Sequence, residues 1–269
     1  MADQQPETAI CRIISVANQK GGVGKTTTTI NLGAALAALG LRVLIVDTDP
    51  QGNASTGLGA ASGSRTRTTK DLLEGTAIAG ECAMPTAIPD LLLLASSTEL
   101  NSADIEMAGH SRRAFFMKDA LARSNLAEAG FDYVLVDCPP SLNLLTVNAI
   151  VASESILVPL QAEFFALEGL SQLAMSVKEI RNSVHPNLFI DGVLLTMVDR
   201  RNNLCRQVER DAREHLGELL MKTTIPRSVR LSEAPSHGLP AISYARSSPG
   251  SMAYREAARE LLEREGRRI

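Results

Sequence analysis

The chain contains no tryptophan, and aromatic residues make up only 3% of its 269 positions. Modules that stack bases on exposed rings, of the RRM or OB type, have little material here. Cysteine is sparse as well: Cys11, Cys82, Cys138 and Cys205 stand far apart, with no C-x-x-C pair. That spacing argues against a disulfide framework or a zinc ribbon and fits a reduced compartment. No apolar run approaches the roughly 20 residues of a membrane helix. The opening MADQQPETAI has neither a basic n-region nor an apolar h-region, so the expectation is a cytoplasmic chain. An excess of positive charge is missing too: 27 Lys and Arg against 30 Asp and Glu leave a formal net charge of −3. Binding to a polyanion would have to come from a local basic patch.

What is present is an alternation of short apolar runs with longer amphipathic ones. Strands are expected at 13–17, 42–47, 91–95, 133–137, 155–160 and 188–196, apolar on both faces as in a sheet covered by helices on each side. A helix is expected from Lys25 to about Leu39, with Gly40 as its stop. Further helices carry apolar stripes: Leu170, Leu173, Ala174 and Val177 in one, Leu204, Val208 and Ala212 in the next. The last, about 251–265, would pack through Tyr254, Ala257, Ala258, Leu261 and Leu262. The turn-rich stretch 59–70 reads as a surface loop. Strand and helix in alternation define an α/β chain, a doubly wound and mostly parallel sheet with helices on both faces. One domain over 1–269 is expected, with residues 1–11 a flexible N-terminal segment.

The strongest chemical signal lies between the first strand and the first helix: Asn18-Gln19-Lys20-Gly21-Gly22-Val23-Gly24-Lys25-Thr26-Thr27. Glycines let the backbone turn consecutive N–H groups inward onto phosphate oxygens, and the helix starting there adds its positive end. Lys25 would reach the β and γ phosphates, the Thr26 hydroxyl would ligate Mg²⁺, and Thr27 would add a hydrogen bond. The strict pattern G-x-x-x-x-G-K-[ST] of a P-loop NTPase fails at one position, where Gln19 replaces the first glycine. In compensation the loop holds a second lysine, Lys20.

Acids follow at strand ends. Asp47 and Asp49 close the second strand in VDTDPQGNAS, and Asp137 closes YVLVD. Ligands of open α/β sheets sit beyond the carboxyl ends of strands, so these acids are expected to face the loop. Asp137 stands where a carboxylate would hold Mg²⁺, and Asp49 is a second candidate beside it.

The run K-G-G-V-G-K-T-T resembles the deviant Walker A motif of the ParA/MinD ATPases. The resemblance implies that Lys20 is the signature lysine, which crosses a dimer interface to the partner's nucleotide, and that ATP and Mg²⁺ are the cofactors. VDTDPQGNAS resembles the family's switch I, which makes Asp49 the residue that positions or activates water while Asp137 supports the metal. Residues 137–148 resemble switch II. The segments LQAEFFALEG at 160–169 and IPRSVRLSEAPS at 225–236 are similar to the short, chromosomal, Soj-like type of ParA, and the likeness runs from about Arg12 to Glu263. With about a dozen residues before the first strand, the helix-turn-helix extension of longer plasmid relatives is not expected. Pro226 and Arg227 fall on the family's adenine-side loop, with Ser228 where asparagine is common. Nonspecific DNA contacts are implied for Arg201 and Arg230, then for Arg206, Arg227 and Arg246. A ParB-type partner, a homodimer in the ATP state and association with the nucleoid are implied as well.

Other readings share the loop. Arg206, Arg210 and Arg213 alternate with Glu209, Asp211 and Glu214, which also describes a solvated, ion-paired helix face. A MinD-like membrane ATPase needs a terminal amphipathic helix, but the terminal stripe here is flanked by Glu260, Glu263 and Glu265. An iron–sulfur reductase needs paired cysteines, and Cys138 reads instead as a small buried thiol. A metabolic ligase on the same fold remains open. The four histidines show no metal-ligand spacing.

Overall fold

Val43–Asp47 and Tyr133–Asp137 hold no polar side chain on either face, apart from a tyrosine hydroxyl, until the terminal aspartate. Strands of this composition must be covered on both sides. In the computed structural model both are buried at every position. The structure describes residues 11–163 and 166–266, with side chains from 169 onward in the helix that follows the break. The segment 1–10 and the phenylalanines at 164 and 165 lie outside the described residues.

The strands are β1 (Arg12–Val16), β2 (Val43–Asp47), β3 (Ala83–Pro85), β4 (Leu91–Leu94), β5 (Tyr133–Asp137), β6 (Ser155–Gln161), β7 (Phe189–Val198) and β8 (Leu220–Pro226). They form one sheet in the order β3-β4-β2-β5-β1-β6-β7-β8, parallel except for β3, which runs antiparallel to β4 at one edge. The helices are α1 (Lys25–Ala37), α2 (Asn53–Gly57), α3 (Thr69–Glu74), α4 (Ala79–Cys82), α5 (Leu100–Ala108), α6 (Phe116–Arg123), α7 (Leu144–Ala152), α8 (Ala166–Ser183), α9 (Asn203–Leu216), α10 (Val229–Glu233), α11 (Ala241–Tyr244) and α12 (Pro249–Arg264). Alternation along each strand divides the core in two. Val43, Ile45 and Leu135 meet α1 and α12 on one face, while Leu44, Val46, Val134 and Val136 meet α3 and α5–α9 on the other. The chain leaves β1 toward β2 on one side and later crosses from β5 to β6 on the other. That reversal opens a crevice at the carboxyl ends of β1, β2 and β5, where sheets of this kind bind ligands.

Several sequence expectations change on folding. The stretch 59–70 is a pinned loop that ends as a helix: Arg65 donates to Ala60 O, Ser96 O and Thr56 Oγ1, and Thr68 with Asp71 forms a capping box for α3. In α8, Ala174 is exposed and Ile180 joins Leu170, Leu173 and Val177 in the core. In α9, Leu204 is 43% exposed and Cys205 takes its place beside Val208 and Ala212. The last helix begins at Pro249, because Ser248 caps it by accepting from Ser251 N. Its expected stripe is buried throughout.

β8 closes the far edge of the sheet and is held from α12. Glu260, largely buried, accepts from Lys222 N at 2.6 Å and from Thr223 N at 2.8 Å. Glu260→Ala leaves both N–H groups without that acceptor and is expected to cost about 1–3 kcal/mol in urea unfolding. An unchanged unfolding midpoint would contradict this docking role.

Candidate nucleotide and metal site

The loop after β1 is shaped by Gly22 at φ 77° and Gly24 at φ 90°, values that residues with a Cβ rarely adopt. Gly24 is also the N-cap of α1, and among the described residues no side chain caps that helix. Its first-turn N–H groups therefore open into the crevice, as at helix ends that bind anions. Thr196 on β7 fastens the loop from behind, its hydroxyl donating to Val23 O at 2.8 Å. Asn31 does so from the front, donating to Thr27 O and accepting from Ala241 N, both at 2.8 Å.

Lys25 is buried, and its ammonium donates to Lys20 O at 2.9 Å. Burial lowers its pKa, opposed first by the nearby Asp137. Thr26 faces Asp137 directly, Oγ1 donating to Oδ2 at 2.9 Å, while Thr29 donates to Oδ1 at 3.0 Å. Thr27, with Gly21, Gly22, Gly24 and Asp49, lines a cleft of about 540 Å³. The structure thus brings Gly21, Gly22, Gly24, Lys25, Thr26, Thr27 and Asp49 to one cavity, with Asp137 behind Thr26; Val23 is buried beneath the loop.

Asp47 does not face the phosphate loop as expected. It sits beside Asp137 in the β2–β5 register, and its carboxylate is turned toward the segment leading into α2. Oδ2 accepts from Ser55 N at 2.8 Å and Ser55 Oγ at 2.6 Å, and Oδ1 accepts from Asp49 N at 3.1 Å. Asp47 anchors the 47–55 turn that carries Asp49. Burial raises the pKa of Asp47 against these hydrogen bonds. Asp137 is raised by burial first and by the charge of Asp47 second, with the two threonine hydroxyls opposing. Asp49 is 8% exposed, and its carboxylate accepts only from Gln51 N among the described contacts, at 2.9 Å, so it keeps a face on the cleft.

Mg²⁺ typically takes one or two carboxylates, waters and substrate phosphates rather than a cage of protein ligands. Among the described residues no group of three or more His, Cys, Asp or Glu side chains converges. A buried carboxylate held by a P-loop threonine, with a second acid nearby, therefore fits that ion: Asp137 and Thr26 would hold it, with Asp49 beside them. Cys138 is buried with its thiol pushed up to about 12 by burial and by Asp137, which makes it a protonated, unreactive neighbour.

A second cleft of about 250 Å³ shares Gly24, Thr27 and Met197 with the first and is lined by Pro226, Arg227, Ser228, Ile225 and Tyr254. The adenine-side residues read from the sequence thus adjoin the phosphate loop. Met197 stands at the seam with φ 53°, a strained conformation for a bulky side chain. Neither Met197 nor Thr196 carried a sequence signal, because both act from the end of β7, which reads simply as an apolar strand.

The candidate DNA arginines are spread. Arg201 and Arg227 line a separate cleft of about 660 Å³ with Arg200. Arg201 is 91% exposed and donates from Nε and one terminal nitrogen to the two oxygens of Asp199, both at 3.0 Å. Arg230 is exposed and pairs with Glu233 at 2.8 Å; Arg206 is exposed and leans on Asn203. Arg213 is tied to Glu209 at 3.1 Å, so that part of α9 is the ion-paired face that its alternating charges suggested. Arg246 is exposed in a different cleft, near Arg255 and Arg259.

The AAA domain family matches residues 11–190. The chromosome partitioning protein ParA of Caulobacter vibrioides is 50% identical over 254 residues, 94% of this chain and 95% of that protein. The sporulation initiation inhibitor protein Soj of Bacillus subtilis is 45% identical over 250 residues, 93% of this chain and 98% of that one. Among solved structures, cobyrinic acid a,c-diamide synthase from Mycobacterium smegmatis with bound ADP and magnesium has a TM-score of 0.83 at 34% identity, over 96% of each chain. MinD from Pyrococcus horikoshii, complexed with Mg-ADP, has a TM-score of 0.79 at 26% identity, over 96% of this chain and 98% of that one. The sheet, the loop and its two lysines define a P-loop ATPase of the deviant Walker A class. Within that class, the chain belongs to the ParA/Soj family of chromosome-partitioning ATPases.

Because the folded carboxyl of Asp137 is raised above its ordinary 3.8, the fold keeps its proton to higher pH than the unfolded chain does. Its contribution to stability is full below 3.8 and is lost as pH rises toward the raised value. Without nucleotide, Asp137→Asn should therefore melt several degrees above the wild type at pH 8, with the gap narrowing toward pH 5. A gap that stays constant or widens on acidification would contradict the buried-acid assignment.

Proposed function

We propose that this chain is an ATP-driven dimer switch that binds DNA without sequence preference and lets go after hydrolysis, moving a chromosome or plasmid. The observation that carries the reading is the pairing of an uncapped helix start and buried Lys25 with the buried Asp137–Thr26 contact, at the mouth of one cleft. Loop N–H groups and Lys25 bind the phosphates of ATP, and Thr26 and Asp137 hold Mg²⁺ with Asp49 beside them. The bound ion supplies charge neutralisation at the phosphates. Asp49 orients the attacking water and accepts its proton. Lys20 reaches the nucleotide of the partner chain, and Pro226 and Arg227 flank the base. The ADP and magnesium bound in the mycobacterial synthase and the archaeal MinD structures support this choice of ligands.

Arg201 and Arg230 are the main phosphate contacts on DNA, with Arg206 and Arg227 in support. Contacts to phosphate carry no sequence information and weaken steeply with salt. A dimer presents each arginine twice, so a patch too weak in one chain holds DNA once ATP pairs two of them. Association with the nucleoid follows, and a ParB-type partner that stimulates hydrolysis completes the cycle. The apolar stripe of α12 is spent on α1 and β8, which leaves little for the lipid insertion that a MinD-like reading requires. No helix among the described residues is long and apolar enough to cross a membrane.

Co-sedimentation with DNA and with liposomes, in ATP, in ADP and without nucleotide, tests the reading. The Asp49→Ala chain is the right material, because blocked hydrolysis preserves the ATP state. DNA should pellet protein only with ATP, and Arg230→Glu should remove that retention at moderate salt while dimers persist. Pelleting with liposomes instead would favour the membrane ATPase, and pelleting with neither would favour a metabolic enzyme.

A further inference from the structure

Lys20 and Lys25 share one loop but meet different partners. Lys25 turns inward, whereas the ammonium of Lys20 lies against Glu163 Oε1 in the connection that follows β6. Both partners are partly open to solvent, with side-chain exposures of 39% and 34%. Neither is loosely placed. On the Glu163 side, Ala162 N donates to Thr196 O at 3.2 Å, and the Cys205 thiol donates to Ala162 O at 3.1 Å. On the loop side, Asn18 Nδ2 donates to Pro159 O at 2.8 Å while its Oδ1 accepts from Lys20 N at 3.0 Å. Gln19, the residue that departs from the ordinary phosphate-loop pattern, donates to Ser176 Oγ on α8 at 3.2 Å. Three consecutive loop residues are thus tied to the β6–α8 segment.

We propose that Glu163 is an in-chain latch for Lys20: dimer closure requires the ammonium to exchange this carboxylate for the partner's phosphates, so Glu163 sets how much ATP-loaded chain is needed to pair. This rests on the reading of Lys20 as a residue that acts across the interface. The exchange is selective by charge. A single carboxylate competes poorly with the three phosphates of ATP and better with the two of ADP, so the latch favours release of the lysine in the triphosphate state. Glu163 acts through Lys20 and is a positioning residue. A partly exposed ion pair shifts an equilibrium by a few-fold, and two latches open per dimer, which compounds to about tenfold.

The test has two arms. In the nucleotide-free chain, trace acetylation read by peptide mass spectrometry compares Lys20 with the exposed Lys118. Glu163→Gln should raise the relative labelling of Lys20 several-fold at low salt, with Glu163→Asp falling between. Added salt should raise labelling in the wild type and leave the Gln variant unmoved. In the second arm, sedimentation velocity in the Asp49→Ala background should show Glu163→Gln dimerising at about tenfold lower concentration with Mg·ATP. The same variant should give measurable dimer with Mg·ADP. Unchanged Lys20 labelling overturns the latch itself, as does a dimer midpoint that stays put or rises. If labelling responds but Asp49→Ala never pairs with ATP, what falls is the cross-interface lysine beneath the proposal, and the latch's function falls with it.

Discussion

Two carboxyl groups side by side at the ends of neighbouring strands are the constraint around which the site is arranged. Asp47 and Asp137 are paired in register on β2 and β5, and both are fully buried. Keeping two such groups ionised away from water is costly unless each is matched. The chain resolves them differently. Asp47 is matched by the N–H and hydroxyl of Ser55 and by the N–H of Asp49, so it becomes an internal anchor. Among the described residues Asp137 receives only two threonine hydroxyls on its side chain, and burial beside Asp47 raises its pKa until a cation offsets that cost. That leaves Asp137 the group most in need of a cation. It stands beside a helix start that is in need of an anion, and a metal-bound polyphosphate supplies both.

The sheet order makes this encounter possible. β5 lies between β1 and β2, so the loop after β1 and the acids after β2 and β5 meet at one edge of the sheet. The second half of the chain then completes the crevice. β7 contributes Thr196 beneath the loop and the strained Met197 at the seam, and the segment after β8 supplies the wall of the smaller cleft. α12 holds that half in place through Glu260 on β8 and through Tyr254, whose hydroxyl lies 3.1 Å from Thr28 Oγ1 on α1. The chemistry of the loop therefore depends on segments more than 170 residues away, as the contact between Val23 and Thr196 shows.

This separation explains what could be read in the sequence. The glycine-rich turn between β1 and α1, the helix itself and the apolar strands are local patterns, set by consecutive residues, and they appear where expected. The acids at strand ends could be recognised, but the division of labour between Asp47 and Asp49 could not, because it depends on how the 47–55 turn folds back. β8 escaped notice because LMKTTIP is polar in its middle, with Lys222 exposed, as suits an edge strand covered on one side by α12. The stripe of α8 loses Ala174 and gains Ile180, and that of α9 moves from Leu204 to Cys205. Both helices present a broad apolar arc, and where that arc meets the sheet is decided by neighbours, not by periodicity. The Lys20–Glu163 contact, the Gln19–Ser176 contact and the strain at Met197 join distant segments and leave no trace in local pattern.

In the proposed dimer, each site is completed by a lysine from the other chain. This is tested most directly by mixing two impaired variants. A Lys20→Ala chain keeps Asp49 but lacks the lysine to lend, and an Asp49→Ala chain keeps Lys20 but cannot orient water. In a mixed dimer, the site on the Lys20→Ala chain has its own Asp49 and receives Lys20 from its partner. ATP hydrolysis should therefore reappear on mixing, well above the sum of the separate variants. A mixture no more active than its two components, although mixed dimers form, would place Lys20 in its own chain's site and contradict the account.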